Sequence, residues 1–350
     1  MATIRYSNVG IVAMSACVPR DVVSNRNLGY LIPKDEIEKT ITNIGIEERR
    51  IAPPDVTASD LCYEAAKKLM EDNNISPDSI DVLLFMSQTS DYRIPATSTI
   101  LQHKLGLSKD TACLDITLGC SGYVYALSTA FAYASMNGVN RVLLLDGETF
   151  SKIVNKRDKV DWPLYGDAAT ATLVEKGNFD ESVFILKSDG AGEDAVKIPS
   201  GGMRNQVTTD SLVETVREDG NIRNDIEVYM DGMDVFNFAM SVVPKSVKEI
   251  VKETTTSLDD IDWLVFHQAN KFMTDFFAKR LKFNMEKVPY CLQKYGNTSS
   301  TSVALTIVSE LHNKMKDGDR VVMCGFGAGL SWATARVVFN HCNISPVIEY

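Results

Sequence analysis

Two kinds of apolar pattern alternate along the chain. Short continuous apolar runs, such as Val9–Val18, Asp81-Val-Leu-Leu-Phe85 and Asn140-Arg-Val-Leu-Leu-Leu-Asp146, sit between polar or turn-forming residues. Runs of that length predict strands buried on both faces. Between them, Ala58–Asn73 and Ser121–Met136 repeat apolar residues at helical spacing. The second half has helix-like Pro244–Thr254 and Ser299–Lys314, with strand-like Asp262-Trp-Leu-Val-Phe266 and Asp319-Arg-Val-Val-Met-Cys324. Each half closes on a β-rich run, Ala168–Val174 and Trp332–Phe339. The alternation predicts an α/β protein with helices on both faces of its sheets. Val9–Val18 has only Arg5 as a charge before it and ends near Cys17 and Pro19, so it reads as a first buried strand rather than a targeting segment.

The pattern also repeats. The strand at Asp81 returns 181 residues later at Asp262, and the one at Asn140 returns 179 residues later at Asp319. In each copy a helix-like stretch, Ser121–Met136 or Ser299–Lys314, separates the two strands. Two tandem βαβαβ-type copies follow: an N-terminal half over 1–176, a connection over 177–230 containing Gly190, Gly192, Gly201 and Gly202, and a C-terminal half over 231–350. If a pseudo-twofold axis relates the copies, matching strand ends and helix starts converge on one central place, where α/β sheets bind their ligands.

Composition narrows the function. The net charge of -10 opposes general binding to nucleic acid or anionic membrane, while leaving room for a local basic patch. No apolar run approaches the roughly 18 residues of a membrane span. The seven cysteines lack the short paired spacings of zinc sites, which suggests a reducing, cytoplasmic setting.

Four places carry candidate chemistry. Thr117-Leu-Gly-Cys-Ser-Gly-Tyr123 follows the strand Ala112–Ile116 and leads into a helix, so Cys120 sits near a helix N-terminus that favours thiolate. The alternative is a small buried cysteine, the reading adopted for Cys17, Cys62, Cys113, Cys291, Cys324 and Cys342. His267 closes the Asp262–Phe266 strand at the place Met86 holds in the first copy; His103, His312 and His341 read as solvent-facing. Asn297 opens the helix twinned with the one after Cys120, 177 residues on, where an ordinary helix cap would also suit asparagine. Gly325-Phe-Gly-Ala-Gly-Leu-Ser331 is a glycine-rich turn able to aim an N–H at an oxyanion. Each is ambiguous alone. Together they supply the nucleophile, proton partner, neutral donor and oxyanion hole that acyl transfer requires.

With these residues the chain resembles the β-ketoacyl-ACP synthase III family of thiolase-fold condensing enzymes. The matching segments are Gly45-Ile-Glu-Glu-Arg49, Gly119-Cys-Ser-Gly122, Tyr165-Gly-Asp167, Met230-Asp-Gly-Met-Asp-Val-Phe236, His267-Gln-Ala-Asn270, Gly296-Asn-Thr-Ser299 and Gly325-Phe-Gly-Ala-Gly329, in family order. The resemblance implies a duplicated αβαβα thiolase-like fold and a homodimer. It implies that Cys120 takes an acyl group from acyl-CoA and that malonyl-ACP then loses carbon dioxide. His267 and Asn297 would hold the enolate oxygen, and the N–H groups of Cys120 and Ala328 the oxyanion. No metal and no organic cofactor is implied. The acyl carrier protein partner would dock on Lys271, Lys279 and Arg280, a set that otherwise reads as a solvated helix face.

The chain departs from the family around the donor. Lys39 and Asn43 stand where a Trp and an Arg clamp CoA, and Phe272 stands where an Arg follows the His267 motif. Tyr165-Gly-Asp-Ala168 lacks the family's second glycine. Ile94, in the loop that would line the partner's acyl pocket, replaces an aromatic residue. These departures suggest a primer longer or more branched than acetyl, on CoA or another carrier. Rival readings are a thiolase-fold acyltransferase or secondary-metabolite ketosynthase with the same triad. An aldol-type synthase would need a glutamate near Gln88–Ser90, and a cysteine hydrolase or non-catalytic subunit fits the motifs less well.

Overall fold

The repeat is built as two mixed sheets. The computed structural model describes residues 3–350. In the first sheet, Val82–Met86 lies between parallel Ala112–Ile116 and Arg141–Glu148. Ala168–Lys176 pairs antiparallel with Arg141–Glu148 and with Val9–Val18. Asn343–Ile344 and Ile348–Glu349 return from the far end of the chain to pair with Val9–Val18. In the second sheet, Trp263–Phe266 runs parallel to Asp319–Gly327, followed antiparallel by Ser331–Phe339, Ser182–Ser188 and Thr3–Tyr6. Strand for strand, Ser182–Ser188 occupies the place of Val9–Val18.

That pairing differs from the expectation that 177–230 is irregular. The second sheet starts at Ser182, inside the connection, because Val183, Phe184 and Ile185 are buried. Its three-residue core is too short to stand out beside the glycines that follow. The helix expected over Pro244–Thr254 also starts earlier. It spans Gly232–Glu253 with Pro244 inside, and the Asp231 carboxylate caps it by accepting from the N–H groups of Met233 and Asp234, each at 2.9 Å.

Helices complete five layers. Ala58–Asp72 covers the outer face of the first sheet, where Leu61, Ala65 and Leu69 pack on Leu83, Phe85 and Leu143. Gly232–Glu253 and Lys271–Leu281 cover the second sheet through Val243, Val247 and Phe277. Gly122–Ser135 and Ser302–Leu311 lie between the sheets, packing on Leu84 and Leu144 from one and Val265 and Met323 from the other. A helix covered on both sides must be apolar all round; Gly122–Ser135 accordingly carries no charged residue.

The 155–165 loop in front of the sheets is pinned from two sides. Arg223 pairs with buried Asp158 and reaches Asp219 at 2.6 Å. Fully buried Arg49 donates from Nε to Asn25 Oδ1 at 2.9 Å, and from Nη1 to the carbonyls of Trp162 at 2.7 Å and Tyr165 at 3.1 Å. Replacing Arg49 by Met strands those acceptors, and the expected stability loss in urea unfolding is about 3–5 kcal/mol. Lysine cannot reproduce the planar fork, so Arg49→Lys is expected to recover less than half of it. Wild-type stability in Arg49→Met contradicts this account.

Candidate active site

A tight turn presents the nucleophile. The chain leaves strand Ala112–Ile116, turns with Gly122 N–H donating to the Gly119 carbonyl at 2.7 Å, and enters the helix Gly122–Ser135. A Cβ at Gly122 would lie 2.0 Å from Met86 Cε, so any larger residue in the turn would have to displace that methionine. Cys120 sits just before the helix cap. Burial pushes the Cys120 thiol up to about 12, against the pull of the helix start and of the hydrogen bond with Ser299. Desolvation opposes the charged form, whereas a helix start favours it. The other six cysteines are free as well; Cys113 and Cys342 are half-buried and the rest buried.

Ser299 joins the parts of the site. Its hydroxyl lies 3.8 Å from Cys120 Sγ. Its N–H donates to Asn297 Oδ1 at 2.9 Å, which leaves the Asn297 Nδ2 donor to face outward. Its backbone also hydrogen-bonds the His267 imidazole, and burial nevertheless depresses His267 to about 3. The ring is therefore neutral at any working pH. His267 Nδ1 and Ser302 Oγ are hydrogen-bonded at 2.7 Å, and Ser302 Oγ also accepts Gln268 N–H at 3.3 Å. In the tautomer where Ser302 donates to Nδ1, the ring proton lies on Nε2, the form that a hydrogen bond to a developing enolate requires.

The glycine-rich turn closes against the nucleophile loop. A Cβ at Gly119 would lie 2.8 Å from Ala328 Cβ and 3.2 Å from Ala328 N, and one at Gly327 would lie 3.0 Å from Cys120 Sγ. Among the described residues, neither Cys120 N–H nor Ala328 N–H donates to a backbone carbonyl. These two N–H groups lie on loops packed against one another beside the sulfur and are left available to an oxyanion.

Cys120, His267, Asn297 and Ala328 all line one cavity of about 340 Å³. The donor-clamp positions lie elsewhere: Lys39 and Asn43 are exposed, and Thr40 and Ile44 from the adjoining helix face line the cavity instead. Phe272 is exposed, its ring 5.9 Å from cavity-lining Phe236. Ile94 is 88% exposed and does not line the chain's own cavity. Lys271 is paired with Asp275 at 2.6 Å, and Lys279 and Arg280 are exposed on the same helix. His103 and His341 are exposed as expected; His312 instead is half-buried, its Nδ1 2.6 Å from the Ile344 carbonyl.

Sequence reasoning gave no role to Ser299, Ser302 or Gln88. Ser299 was visible in the Gly296–Ser299 motif, but its contacts join residues far apart in the chain. Asp146 and Glu148 were missed too. Both are fully buried, and Ser300 Oγ lies 2.6 Å from Asp146 and 3.2 Å from Glu148. Burial pushes both carboxyls up, Glu148 to about 7, so the pair does not hold two full negative charges beside the thiol.

A doubled α/β fold whose halves bring a thiol, a neutral imidazole, a carboxamide and two orphan N–H groups to one cavity defines a thiolase-like condensing enzyme. The profile described as "3-Oxoacyl-[acyl-carrier-protein (ACP)] synthase III" matches residues 114–192, and its C-terminal counterpart matches 251–339. The β-ketoacyl-[acyl-carrier-protein] synthase III of Caldanaerobacter subterraneus is 34% identical over 95% of this chain and 98% of its own. The crystal structure of a 3-oxoacyl-(acyl-carrier protein) synthase from Burkholderia xenovorans is 35% identical, with a TM-score of 0.94 over 100% of this chain and 99% of that one. The priming β-ketosynthase of the R1128 polyketide pathway is 27% identical, with a TM-score of 0.83 over 96% of this chain and 97% of that one. The chain belongs to the β-ketoacyl-ACP synthase III family.

The depressed His267 value has a consequence for stability. Below pH 6.5 the unfolded chain takes up a proton at this ring that the folded chain refuses until about 3, so stability is lost as pH falls. Between pH 7.5 and 5, urea unfolding of the wild type is expected to lose about 2 kcal/mol more than His267→Gln. Parallel pH dependence in the two proteins contradicts a buried, neutral His267.

Proposed function

We propose that this enzyme condenses an acyl thioester primer with malonyl-ACP through an acyl-Cys120 intermediate, in fatty acid biosynthesis. The observation that carries the reading is Ser299, in contact with Cys120 and Asn297 at once. In the first stage the Cys120 sulfur, deprotonated, attacks the thioester carbonyl, and the oxyanion is met by the N–H groups of Cys120 and Ala328. The carrier leaves as a thiol and the acyl group stays. In the second stage the malonyl group loses carbon dioxide, and the electron pair passes to its thioester oxygen, held by His267 Nε2–H and Asn297 Nδ2. The resulting carbanion attacks the acyl-Cys carbonyl, and the Cys120 sulfur departs. Charge develops on two separate oxygens, and each has its own pair of neutral donors in a dry site. Side chains and backbone supply every donor this sequence of steps needs, so the reaction runs without a metal or organic cofactor.

The carrier protein is acidic and the exposed Lys279 and Arg280 offer it a local cationic face, with Lys271 beside them. A second copy of the chain is part of the reading: the edge strand Ala112–Ile116 exposes Leu114 at 42%, and the nearby loop exposes Ile94 at 88%. The seven free cysteines suit a cytoplasmic protein, and no helix of the described residues is long and apolar enough to cross a membrane. The likeness to the R1128 priming ketosynthase favours, as a second reading, condensation in secondary metabolism. A plain acyltransferase is separated from both by adding malonyl-ACP, since it releases no carbon dioxide.

The primer is longer or more branched than acetyl, delivered on CoA or another carrier. A panel of acyl-CoA donors read by intact mass is expected to label wild type faster with C4–C8 groups than with acetyl, and to leave Cys120→Ala unlabelled. Faster labelling by acetyl-CoA contradicts the primer assignment; equal labelling of Cys120→Ala contradicts the nucleophile.

A further inference from the structure

The cavity around Cys120 is walled by apolar side chains such as Phe150, Val196 and Met230, yet polar side chains line it as well, Gln88 and Tyr165 among them. Tyr165 is buried, stacked on Phe150 at 4.3 Å, and its hydroxyl has only the Met230 sulfur, at 3.7 Å, as a protein partner. Thioether sulfur is a weak acceptor. Gln88 Oε1 accepts the Ser299 hydroxyl at 3.1 Å, and among the described residues no protein acceptor takes the Nε2 hydrogens. Gln88 is coupled to the nucleophile through Ser299, and Tyr165 lines the same cavity. Ser299 Oγ, the partner of Gln88, is 3.8 Å from Cys120 Sγ. Tyr165 forms a backbone bridge with Asn297.

Water can satisfy these donors in the absence of substrate. A hydrocarbon acyl chain expels that water and accepts nothing in its place, which strands both donors. An acyl group bearing its own oxygen replaces the water. An extended acyl group on sulfur places its third and fourth carbons roughly 4–5 Å away, inside the cavity that Gln88 and Tyr165 line.

We propose that the acyl group loaded onto Cys120 carries an oxygen on its third or fourth carbon, a hydroxyl or a carbonyl, which accepts from Gln88 and Tyr165. The inference rests on the acyl-Cys120 reading above. The loading step itself is unchanged. A C–S bond forms between Cys120 and the thioester carbonyl carbon, the C–S bond to the carrier breaks, and the departing sulfur takes up the proton released by Cys120. The second oxygen takes no part in bond making; it selects the substrate. Gln88 and Tyr165 are thus specificity residues, and sites built to bond a substrate oxygen reject the analogue without it far better than apolar pockets reject an extra group.

Pantetheine thioesters of butyrate, of both 3-hydroxybutyrate enantiomers and of acetoacetate, offered together at equal concentration, test this without any carrier contact. Intact mass of the quenched protein reads the adducts. Wild type is expected to favour at least one oxygenated donor over butyryl by about tenfold or more. Gln88→Leu and Tyr165→Phe are each expected to lower that ratio about fivefold. The ratio is insensitive to any loss of folded protein, which lowers all adducts alike. Butyryl labelling as fast as the best oxygenated donor overturns the proposal, as does a ratio unmoved in both variants. Absence of every adduct overturns the acyl-enzyme reading and this proposal with it.

Discussion

The site depends on one residue held in an uncommon conformation. Ser299 has φ of 54°, in the left-handed region that a serine adopts only at a cost of about 1–3 kcal/mol. In that conformation its N–H reaches back to Asn297 Oδ1 while its hydroxyl faces Cys120 and Gln88. The surrounding structure enforces it. Ser299 is fully buried at the start of a helix packed between two sheets, and Gly166 N–H donates to the Asn297 carbonyl at 3.0 Å. A Cβ on Gly166 would sit 2.1 Å from the Tyr295 carbonyl oxygen, so that crossing tolerates no side chain. Packing thus stores the strain where the chemistry uses it.

Burial then sets the charge state of everything nearby. It keeps His267 neutral, pushes the Cys120 thiol up, and favours the protonated forms of Asp146 and Glu148. The groups around Cys120 are thus nearly uncharged at rest, and once substrate fills the cavity their donors act most strongly on charge that develops during reaction. Once a bound acyl chain has expelled water, any donor left without an acceptor is costly, which is why the polar lining at Gln88 and Tyr165 bears on what the enzyme accepts.

Much of this was legible in the chain itself. Apolar runs repeating at nearly constant offset outlined both sheets and the central helices, because a strand buried on two faces and a helix buried on all sides leave little room for polar residues. Cys120, His267, Asn297 and Ala328 were found through glycines, strand ends and motif order, and they meet in one cavity. Ser182–Ser188 escaped because its apolar core is short and followed by turn residues. The start of the helix at Gly232 was hidden by Pro244, which reads as a first turn but lies mid-helix. Ser299 and Gln88 were invisible as partners since 211 residues separate them, and no local pattern encodes a contact of that kind. The burial of the thiol was hidden for a related reason: a helix start is a local feature, whereas desolvation comes from the whole fold.

The central claim is that Cys120 carries the acyl group while His267 and Asn297 serve the separate loss of carbon dioxide. Single-turnover measurement of both half-reactions in Asn297→Ala tests it most directly. Acyl transfer to Cys120 should proceed within a few-fold of wild type, while carbon dioxide release from malonyl-ACP falls by about a hundredfold or more. Undiminished carbon dioxide release, or a matching collapse of both steps, would contradict the account.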